Sequence, residues 1–237
     1  MQRTALIIGA TGLVGHSLLQ QLASLYDKVV IIARTQPKGM QTAMHFYQLK
    51  DFSQIAQCLS SLSLSDDVDA FSCLGTTLKQ AGSETEFRQV DFDYNLAFAK
   101  ACHAKGVQRF FLLSALGADS GSRLLYNRVK GELEQAVMAL DFEQLAIFRP
   151  SLLLGKHEKR PMESLAQTAY KLIKPLVPKK LAIRPIEAQR VAMAMVLVAN
   201  NWQISQNFAS VTDRESGLPK VKIFSNRDML QLTWLHK

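Results

Sequence analysis

The chain contains little cysteine: Cys58, Cys73 and Cys102 are the three such residues among 237. They are odd in number and far apart, which argues against a disulfide framework and against a cysteine-based zinc site. We therefore expect a protein of a reducing compartment, and from this a cytoplasmic location.

Long hydrophobic runs are also missing. The densest late run, residues 191–199, has nine residues, whereas a helix that crosses a bilayer needs about 20. The N-terminal "MQRTALIIGATG" has an apolar run far too short for the core of a signal peptide. No repeat or low-complexity segment occurs. These absences predict no membrane insertion and a single domain over residues 1–237.

Acidic residues are fewer than basic ones, with 20 Asp and Glu against 28 Lys and Arg and a net charge of +8. Much of the excess falls in residues 156–190. This stretch fits a solvated basic face or a surface for a protein partner. Nucleic acid is disfavoured as a partner, because no aromatic residues are interleaved with the basic ones.

Apolar β-branched runs alternate with helical patterns along the first two thirds of the chain. Strands are predicted at 4–10, 28–34, 44–52, 69–75, 107–115 and 143–155. Helices are predicted at 14–26, 53–64 and 87–106, and a further helix carries the stretch 122–137 and ends near residue 140. Such alternation indicates an α/β fold, a doubly wound parallel sheet with helices on both faces. Ligands of these sheets bind beyond the carboxyl ends of the strands.

The regular pattern ends after Pro150. Four of the seven prolines lie in residues 157–186, so we expect a small substrate or lid lobe at about 151–190. A helix over 187–201 should return to the body. Residues 220–232 are predicted to form a last strand and a terminal helix, with Asn226 as its N-cap.

Three glycines, Gly9, Gly12 and Gly15, fall between the first predicted strand and the first helix. Small residues there permit a tight turn and the close approach of a pyrophosphate to a helix N-terminus. A purely structural turn is the alternative. The pattern predicts a dinucleotide site, and the predicted contacts of this turn also include Thr11, Leu13 and Val14.

The segment after the second strand favours NADP(H) over NAD(H). An NAD site usually has an acidic residue about 20 residues beyond the glycines, but none occurs between Asp27 and Asp51. The strand ends instead in "ARTQPK", where Arg34, helped by Thr35 and Lys38, suits a 2′-phosphate. A solvated arginine is the alternative. Further cofactor contacts are predicted at later strand ends, namely Asp51, Phe52, Leu74, Gly75, Thr76, Thr77, Pro150 and Leu153.

Tyr126 and Lys130 are four residues apart, which places them on one face of a predicted helix. A tyrosine hydroxyl titrates near ~10, and a nearby ammonium favours its ionised form. Ser114, at the end of the fifth strand, is placed to hydrogen-bond the reacting oxygen. We predict Ser114, Tyr126 and Lys130 as catalytic residues, with Lys130 also holding the nicotinamide ribose. The alternative is a packed aromatic ring beside a solvated lysine.

These features resemble the short-chain dehydrogenase/reductase superfamily. The segments "CLGTT", "VDFDYN", "LLSALGAD", "LYNRVKGELE" and "FRPSLLLG" are similar to its atypical members related to the human HIV Tat-interactive protein, over about residues 3 to 200. The resemblance implies a Rossmann fold, NADP(H) binding and Ser/Tyr/Lys chemistry. It also implies that Asn95 replaces the supporting asparagine of the superfamily. The chain departs from its relatives at Ala115, where they often have a second serine.

The sequence therefore predicts an NADPH-dependent oxidoreductase that reduces a small carbonyl substrate by hydride transfer. One alternative is a catalytically weak, NADPH-sensing regulatory protein whose basic lobe meets a protein partner. Another is a nucleotide-sugar epimerase or dehydratase. His157 is a candidate for the substrate pocket or an exposed loop residue. Arg149 is either a core-edge arginine or a substrate clamp.

Overall fold

Short aliphatic and β-branched runs form the strands of one sheet, as the alternation predicts. A computed structural model describes residues 2–155, 184–202, 210–211 and 220–235. The strands are β1 Arg3–Ile8, β2 Lys28–Ala33, β3 Met44–Gln48, β4 Asp67–Ser72, β5 Arg109–Leu113, β6 Gln144–Arg149, β7 Leu153–Leu154, β8 Ile186–Glu187, β9 Ser210–Val211 and β10 Val221–Ser225.

Eight strands of the described residues pair in the order β3-β2-β1-β4-β5-β6-β10-β9. Seven of them are parallel, and β9 pairs antiparallel with β10 at the edge. The short strands β7 and β8 pair separately, in parallel. The chain moves outward from β1 in one direction to β3, then returns to the other side of β1 with β4. The predicted Rossmann-type, doubly wound α/β fold is therefore confirmed, and its switch point lies between β1 and β4.

Helices cover both faces of this sheet. They are α1 Leu13–Leu22, α2 Ile55–Ser60, α3 Leu78–Ala81, α4 Glu84–Arg88, α5 Tyr94–Ala104, α6 Leu125–Met138, α7 Ala188–Asn200 and α8 Asn226–Trp234. A 3₁₀ turn at Phe52–Gln54 precedes α2, and a π-helical turn at Gln89–Asp93 joins α4 to α5. None of the helices in the described part of the chain is long and apolar enough to span a bilayer.

Successive strand residues point to opposite faces of the sheet and so supply two separate cores. In β5, Phe111 stacks on Phe71 with ring centroids 4.7 Å apart, beneath the face that holds α1 and α7. The adjacent Phe110 stacks on Phe142 at 4.8 Å on the other face, which holds α2, α5 and α6. The two cores hold the helices against both faces of the sheet. The loops between strands and helices at the carboxyl edge are thereby fixed in position.

Several predicted boundaries differ from the structure for local reasons. The helix expected at 87–106 is divided by the π-helical turn. The sixth strand ends at Arg149 rather than continuing to residue 155, because Pro150 has no N–H for the ladder. The predicted N-cap Asn226 is wrong: Ser225 caps α8 and forms a capping box with Asp228.

Most of the predicted lobe, including His157, lies outside the described residues. Of the stretch 151–190, the structure describes residues 151–155 and 184–190. These two pieces meet at the β7–β8 pairing, where Leu153 is the partner of Ile186. The helix expected to return to the body is α7, and it packs against α1.

Candidate functional site

The turn between β1 and α1 leaves no room for side chains at its glycines. Gly9 has φ +75°, a conformation that favours glycine. A Cβ on Gly9 would lie 2.3 Å from the carbonyl carbon of Cys73, and a Cβ on Gly15 would lie 2.1 Å from the Gly9 oxygen. Gly9 therefore allows the turn to approach the end of β4, and Gly15 allows α1 to pack against the turn.

The first turn of α1 presents backbone N–H groups toward the same edge. Gly12 is its N-cap, with extended backbone and no side chain to cap the helix. The Gly12 N–H donates to the Gly9 oxygen at 2.9 Å, while no backbone hydrogen bond of the described residues uses the N–H of Leu13 or Val14. Thr11, between Gly9 and Gly12, is exposed. Free amides at the positive end of a helix dipole fit the pyrophosphate of a dinucleotide.

A small open pocket lies at the carboxyl edge of the sheet. It is lined by Arg34, Lys50, Phe52, Leu74, Val90 and Tyr94. The rings of Phe52 and Tyr94 are 5.7 Å apart and tilted by 37°. An aromatic wall with two cations at its border suits an adenosine that carries an additional phosphate.

Asp51, which was predicted to contact the cofactor, caps the 3₁₀ turn, and its contact with a cofactor stays a prediction. Its Oδ1 accepts from the N–H of Ser53 at 2.9 Å. Hydrogen bonds from Ser53 lower the pKa of Asp51. The structure therefore places Phe52 in the pocket and gives its neighbour Asp51 a local role in the backbone.

Lys130 is a buried cation at the carboxyl edge of the sheet. Its ammonium nitrogen lies 2.8 Å from Oδ1 of Asp91, and both side chains are buried. Burial opposes the charge, but Asp91, Tyr126 and Glu134 outweigh burial, and the pKa of Lys130 is raised. The ammonium group therefore stays charged at neutral pH. The alternative of a solvated lysine is wrong for this residue.

Tyr126 lies one helical turn before Lys130, in the first turn of α6. Its side chain is 37% exposed, and its ring packs on Phe87 with centroids 5.8 Å apart. The arrangement holds the ring on one side and leaves the residue open to solvent. An accessible phenol beside a buried ammonium is the pair that proton transfer to a bound carbonyl requires.

Asn95 is buried, and each of its polar side-chain atoms contacts the protein. Its Oδ1 accepts from Oγ of Ser72 at 2.5 Å, and its Nδ2 donates to the carbonyl oxygens of Val90 and Leu74 at 2.9 and 3.3 Å. Asn95 thereby ties the end of β4 to the π-helical turn. Its predicted contact with a cofactor stays a prediction.

The Ser114 hydroxyl is buried and faces α6. It donates to Oε1 of Glu134, and the same carboxylate binds Arg149, with its Nε 3.0 Å from Oε1. Arg149 is therefore a clamp on Glu134. The next residue, Ala115, is also buried and has no hydroxyl to offer. The predicted polarising role of Ser114 stays a prediction, and its hydroxyl hydrogen is directed at a protein carboxylate.

Other predicted cofactor residues lie along the same edge. Thr35 is exposed beyond Arg34. The side chain of Thr77 accepts from the N–H of Gln80 at 3.2 Å and caps α3. The Thr76 N–H donates to Oδ2 of Asp91 at 2.7 Å. These two threonines fix the loop after β4.

The segment after β6 approaches the glycine turn. The Pro150 oxygen accepts from the N–H of Leu116 at 2.8 Å, which joins this segment to the loop after β5. Leu153 lies in β7, and a Cβ on Gly155 would come within 2.7 Å of Cδ1 of Leu13. The predicted residues of strands β1, β4, β5 and β6 are thus gathered at one edge.

Comparison with known proteins agrees with this geometry. A model of the NAD dependent epimerase/dehydratase family matches residues 5–180. The chain belongs to this family. It is 32% identical over 233 residues to protein FMP52-1 of Scheffersomyces stipitis, covering 97% of this chain and 98% of that protein. It is 38% identical over 173 residues to protein HTATIP2 of Rattus norvegicus, covering 71% and 70%. The resemblance indicated by the motifs is confirmed, and the chain is an NAD(P)-binding Rossmann-fold protein.

Solved structures support the fold. A UDP-glucose 4-epimerase of Thermus thermophilus in complex with NAD superposes with a TM-score of 0.64 at 14% identity, covering 96% of this chain and 81% of that one. At this level of identity the match establishes the architecture alone.

The expected cytoplasmic location is wrong on these comparisons. Relatives in Scheffersomyces stipitis, Emericella nidulans and Debaryomyces hansenii are named mitochondrial. The three cysteines are free thiols, but free thiols indicate a reducing environment and do not distinguish one reducing compartment from another.

Sequence reasoning missed five residues of the site. Asp91 pairs with the buried Lys130 and Glu134 with the half-buried Arg149. Lys50, Val90 and Tyr94 line the pocket. A signal existed for Glu134, which lies four residues after Lys130 and eight after Tyr126, on the same helical face. Asp91 gave no such signal, because it lies in the π-helical turn, where α-helical periodicity does not predict which way a side chain points.

Proposed function

We propose that this protein is an NADP(H)-dependent oxidoreductase that reduces a small carbonyl compound. The observation that carries the proposal is the exposed Tyr126 one turn from the buried, charged Lys130. The pair lies at the sheet edge that also holds the glycine turn.

The residues have separate roles in the proposed reaction. When bound, reduced nicotinamide supplies a hydride to the carbonyl carbon. Tyr126 gives its hydroxyl proton to the carbonyl oxygen, so that the product is an alcohol. Lys130 keeps a positive charge beside the phenol, which favours release of that proton, and it holds the ribose hydroxyls. Phe87 fixes the ring of Tyr126.

NADP(H) is the cofactor that we propose in preference to NAD(H). Arg34 and Lys50 both border the pocket with the aromatic pair. Their charges suit a 2′-phosphate, which an arginine binds through two parallel hydrogen bonds. Dissociation constants for NADPH and NADH test this choice directly, and tighter binding of NADH contradicts it.

The function is tested by Tyr126→Phe. Loss of the donor should lower turnover by about 100-fold or more, the scale of general acid catalysis, with NADPH affinity nearly unchanged. Turnover is followed by NADPH oxidation across a panel of aldehydes and ketones. Tyr47→Phe, at the far strand β3, is the matched control and should behave as wild type. Equal turnover of the Tyr126 variant would remove Tyr126 from the mechanism.

A second candidate is an epimerase or dehydratase acting on a nucleotide sugar. It is supported by the description of the family, NAD dependent epimerase/dehydratase. Conversion of UDP-sugars without net oxidation of added NADPH distinguishes this candidate from a reductase.

A third candidate is an NADPH-sensing protein with a protein partner. It is supported by Ala115 and by the engagement of Ser114 with Glu134, which leave Tyr126 without an evident second donor. NADPH binding without turnover of any carbonyl, together with NADPH-dependent capture of a partner, favours this candidate.

A further inference from the structure

The Asp91 carboxylate joins two segments that form the site. Its Oδ2 accepts from the N–H of Thr76 at 2.7 Å, in the loop after β4. Its Oδ1 lies 2.8 Å from the ammonium nitrogen of Lys130, on α6. Asp91 is 1% exposed, and no other donor in the described part of the chain bonds to Oδ1. One oxygen of the carboxylate thus contacts Lys130, and the other accepts a hydrogen bond from the loop after β4.

The local backbone accommodates this contact in two places. Asp91 lies in the π-helical turn, whose Val90 carbonyl is bound by the Asn95 side chain at 2.9 Å. Such turns are rare in proteins, and those that occur are often found at functional sites. At Gly75, a Cβ would lie 3.2 Å from Oδ1 of Asp91. The glycine leaves space for the carboxylate at the end of β4.

We propose that Asp91 is a positioning residue that holds the Lys130 ammonium charged and in place beside Tyr126. This inference rests on the proposed function. Burial disfavours an ammonium group, and a carboxylate within hydrogen-bond distance offsets this effect. Without Asp91, Lys130 should lose its proton at a lower pH, and Tyr126 should then lose the adjacent positive charge.

Other groups around Lys130 are weaker supports for its charge. Tyr126 and Glu134 face it from its own helix and also raise its pKa. Cys73, at the end of β4, is buried, and its pKa is raised to about 12 by burial despite the charge of Lys130. Glu134 is already bound to a guanidinium. Asp91 is therefore the carboxylate that forms an ion pair with Lys130, at 2.8 Å.

The first test does not depend on activity. Isotopically labelled lysine allows the titration of Lys130 to be followed by NMR in the cofactor-free protein, its signal being assigned by its loss in Lys130→Arg. In Asp91→Asn we expect the titration midpoint to fall by about 1–3 pH units, the effect of removing an opposite charge. Asp93→Asn, an exposed aspartate of the same turn, should leave the midpoint unchanged. An unchanged midpoint in Asp91→Asn overturns the proposal.

The second test uses the pH profile of kcat/KM for carbonyl reduction. The alkaline limb of Asp91→Asn should move to lower pH by about one unit or more. A uniform fall in rate with the limb unmoved means that Asp91 is only structural. If the wild-type protein reduces no carbonyl, the proposed function fails, while the NMR titration still decides the role of Asp91.

Folding is checked first by circular dichroism and thermal unfolding. If Asp91→Asn does not fold, Gly75→Ala replaces it, since the added methyl group presses on Oδ1. A lower Lys130 midpoint in that variant supports the proposal, and an unchanged midpoint contradicts it.

Discussion

The Ser114 hydroxyl donates to the Glu134 carboxylate, which is held in turn by the guanidinium of Arg149. A hydroxyl has one hydrogen to donate. While that hydrogen is on Glu134, it is not available to a substrate oxygen. Ser114 is therefore linked through Glu134 to the helix that carries Tyr126 and Lys130.

The first prediction concerns this contact. Ser114→Ala should lower carbonyl reduction by less than about 10-fold, far less than Tyr126→Phe, because the lost hydrogen bond is internal. Steady-state kinetics of the two variants under the same conditions make the comparison. A loss in Ser114→Ala as large as that in Tyr126→Phe would contradict this prediction and support the polarising role predicted from sequence.

The second prediction concerns the choice of cofactor. Arg34→Ala should weaken NADPH binding by roughly 10- to 100-fold, since a hydrogen bond to a charged group contributes about 1.5–3 kcal/mol. NADH binding should hardly change. Calorimetric titration with both cofactors gives the ratio. Lys28→Ala, at the opposite end of β2, is the control. An equal loss for both cofactors contradicts a 2′-phosphate contact.

The third prediction concerns stability at the amino edge of the sheet. The buried Asp69 carboxylate accepts from Tyr26, Arg109 and Arg3, the last at 2.7 Å. Asp69→Asn should lower the free energy of unfolding by about 3–5 kcal/mol, because it removes a buried carboxylate that pairs with two half-buried guanidinium groups. Urea unfolding measures this loss. The exposed Asp66→Asn should stay within about 0.5 kcal/mol of wild type.

The fourth prediction concerns alkaline pH. Burial lowers the pKa of Lys222 from 10.5 to about 8. Between these values the unfolded chain binds the proton and the folded chain does not, so the contribution of Lys222 to stability rises with pH. The free energy of unfolding of wild type minus that of Lys222→Met should therefore increase from pH 8 to 10.5. Lys220→Met, at the surface just before β10, is the control. A flat or falling difference contradicts the prediction.

Strands β1, β2, β5 and β6 were predictable because each is a short apolar run with a breaker near its end. The glycine turn was predictable because Gly9 and Gly15 satisfy backbone constraints that local sequence encodes. The boundary errors have local causes too. Asn226 follows Ser225, and both are good N-caps, so the sequence did not distinguish them. Pro150 marked the end of β6, and the apolar residues beyond it led the prediction too far.

The site was predictable where its residues share a helix and not where they meet through space. Tyr126 and Lys130 are four residues apart, so helical periodicity alone places them together. Asp91 is 39 positions before Lys130 in sequence and reaches it only because the turn at Gln89–Asp93 departs from α-helical geometry. No periodic pattern reports such a contact, and the same holds for Lys50 beside Arg34.

The pairing of β6 with β10 has a consequence for biosynthesis. Leu145 pairs with Val221, and Arg149 pairs with Ser225, so one edge of β6 stays open until the nascent chain has been extended past residue 225. An open parallel edge exposes unpaired N–H and C=O groups that recruit other chains. Prematurely terminated products that stop before this strand should accordingly be captured by chaperones or degraded rather than accumulate as a folded nucleotide-binding half.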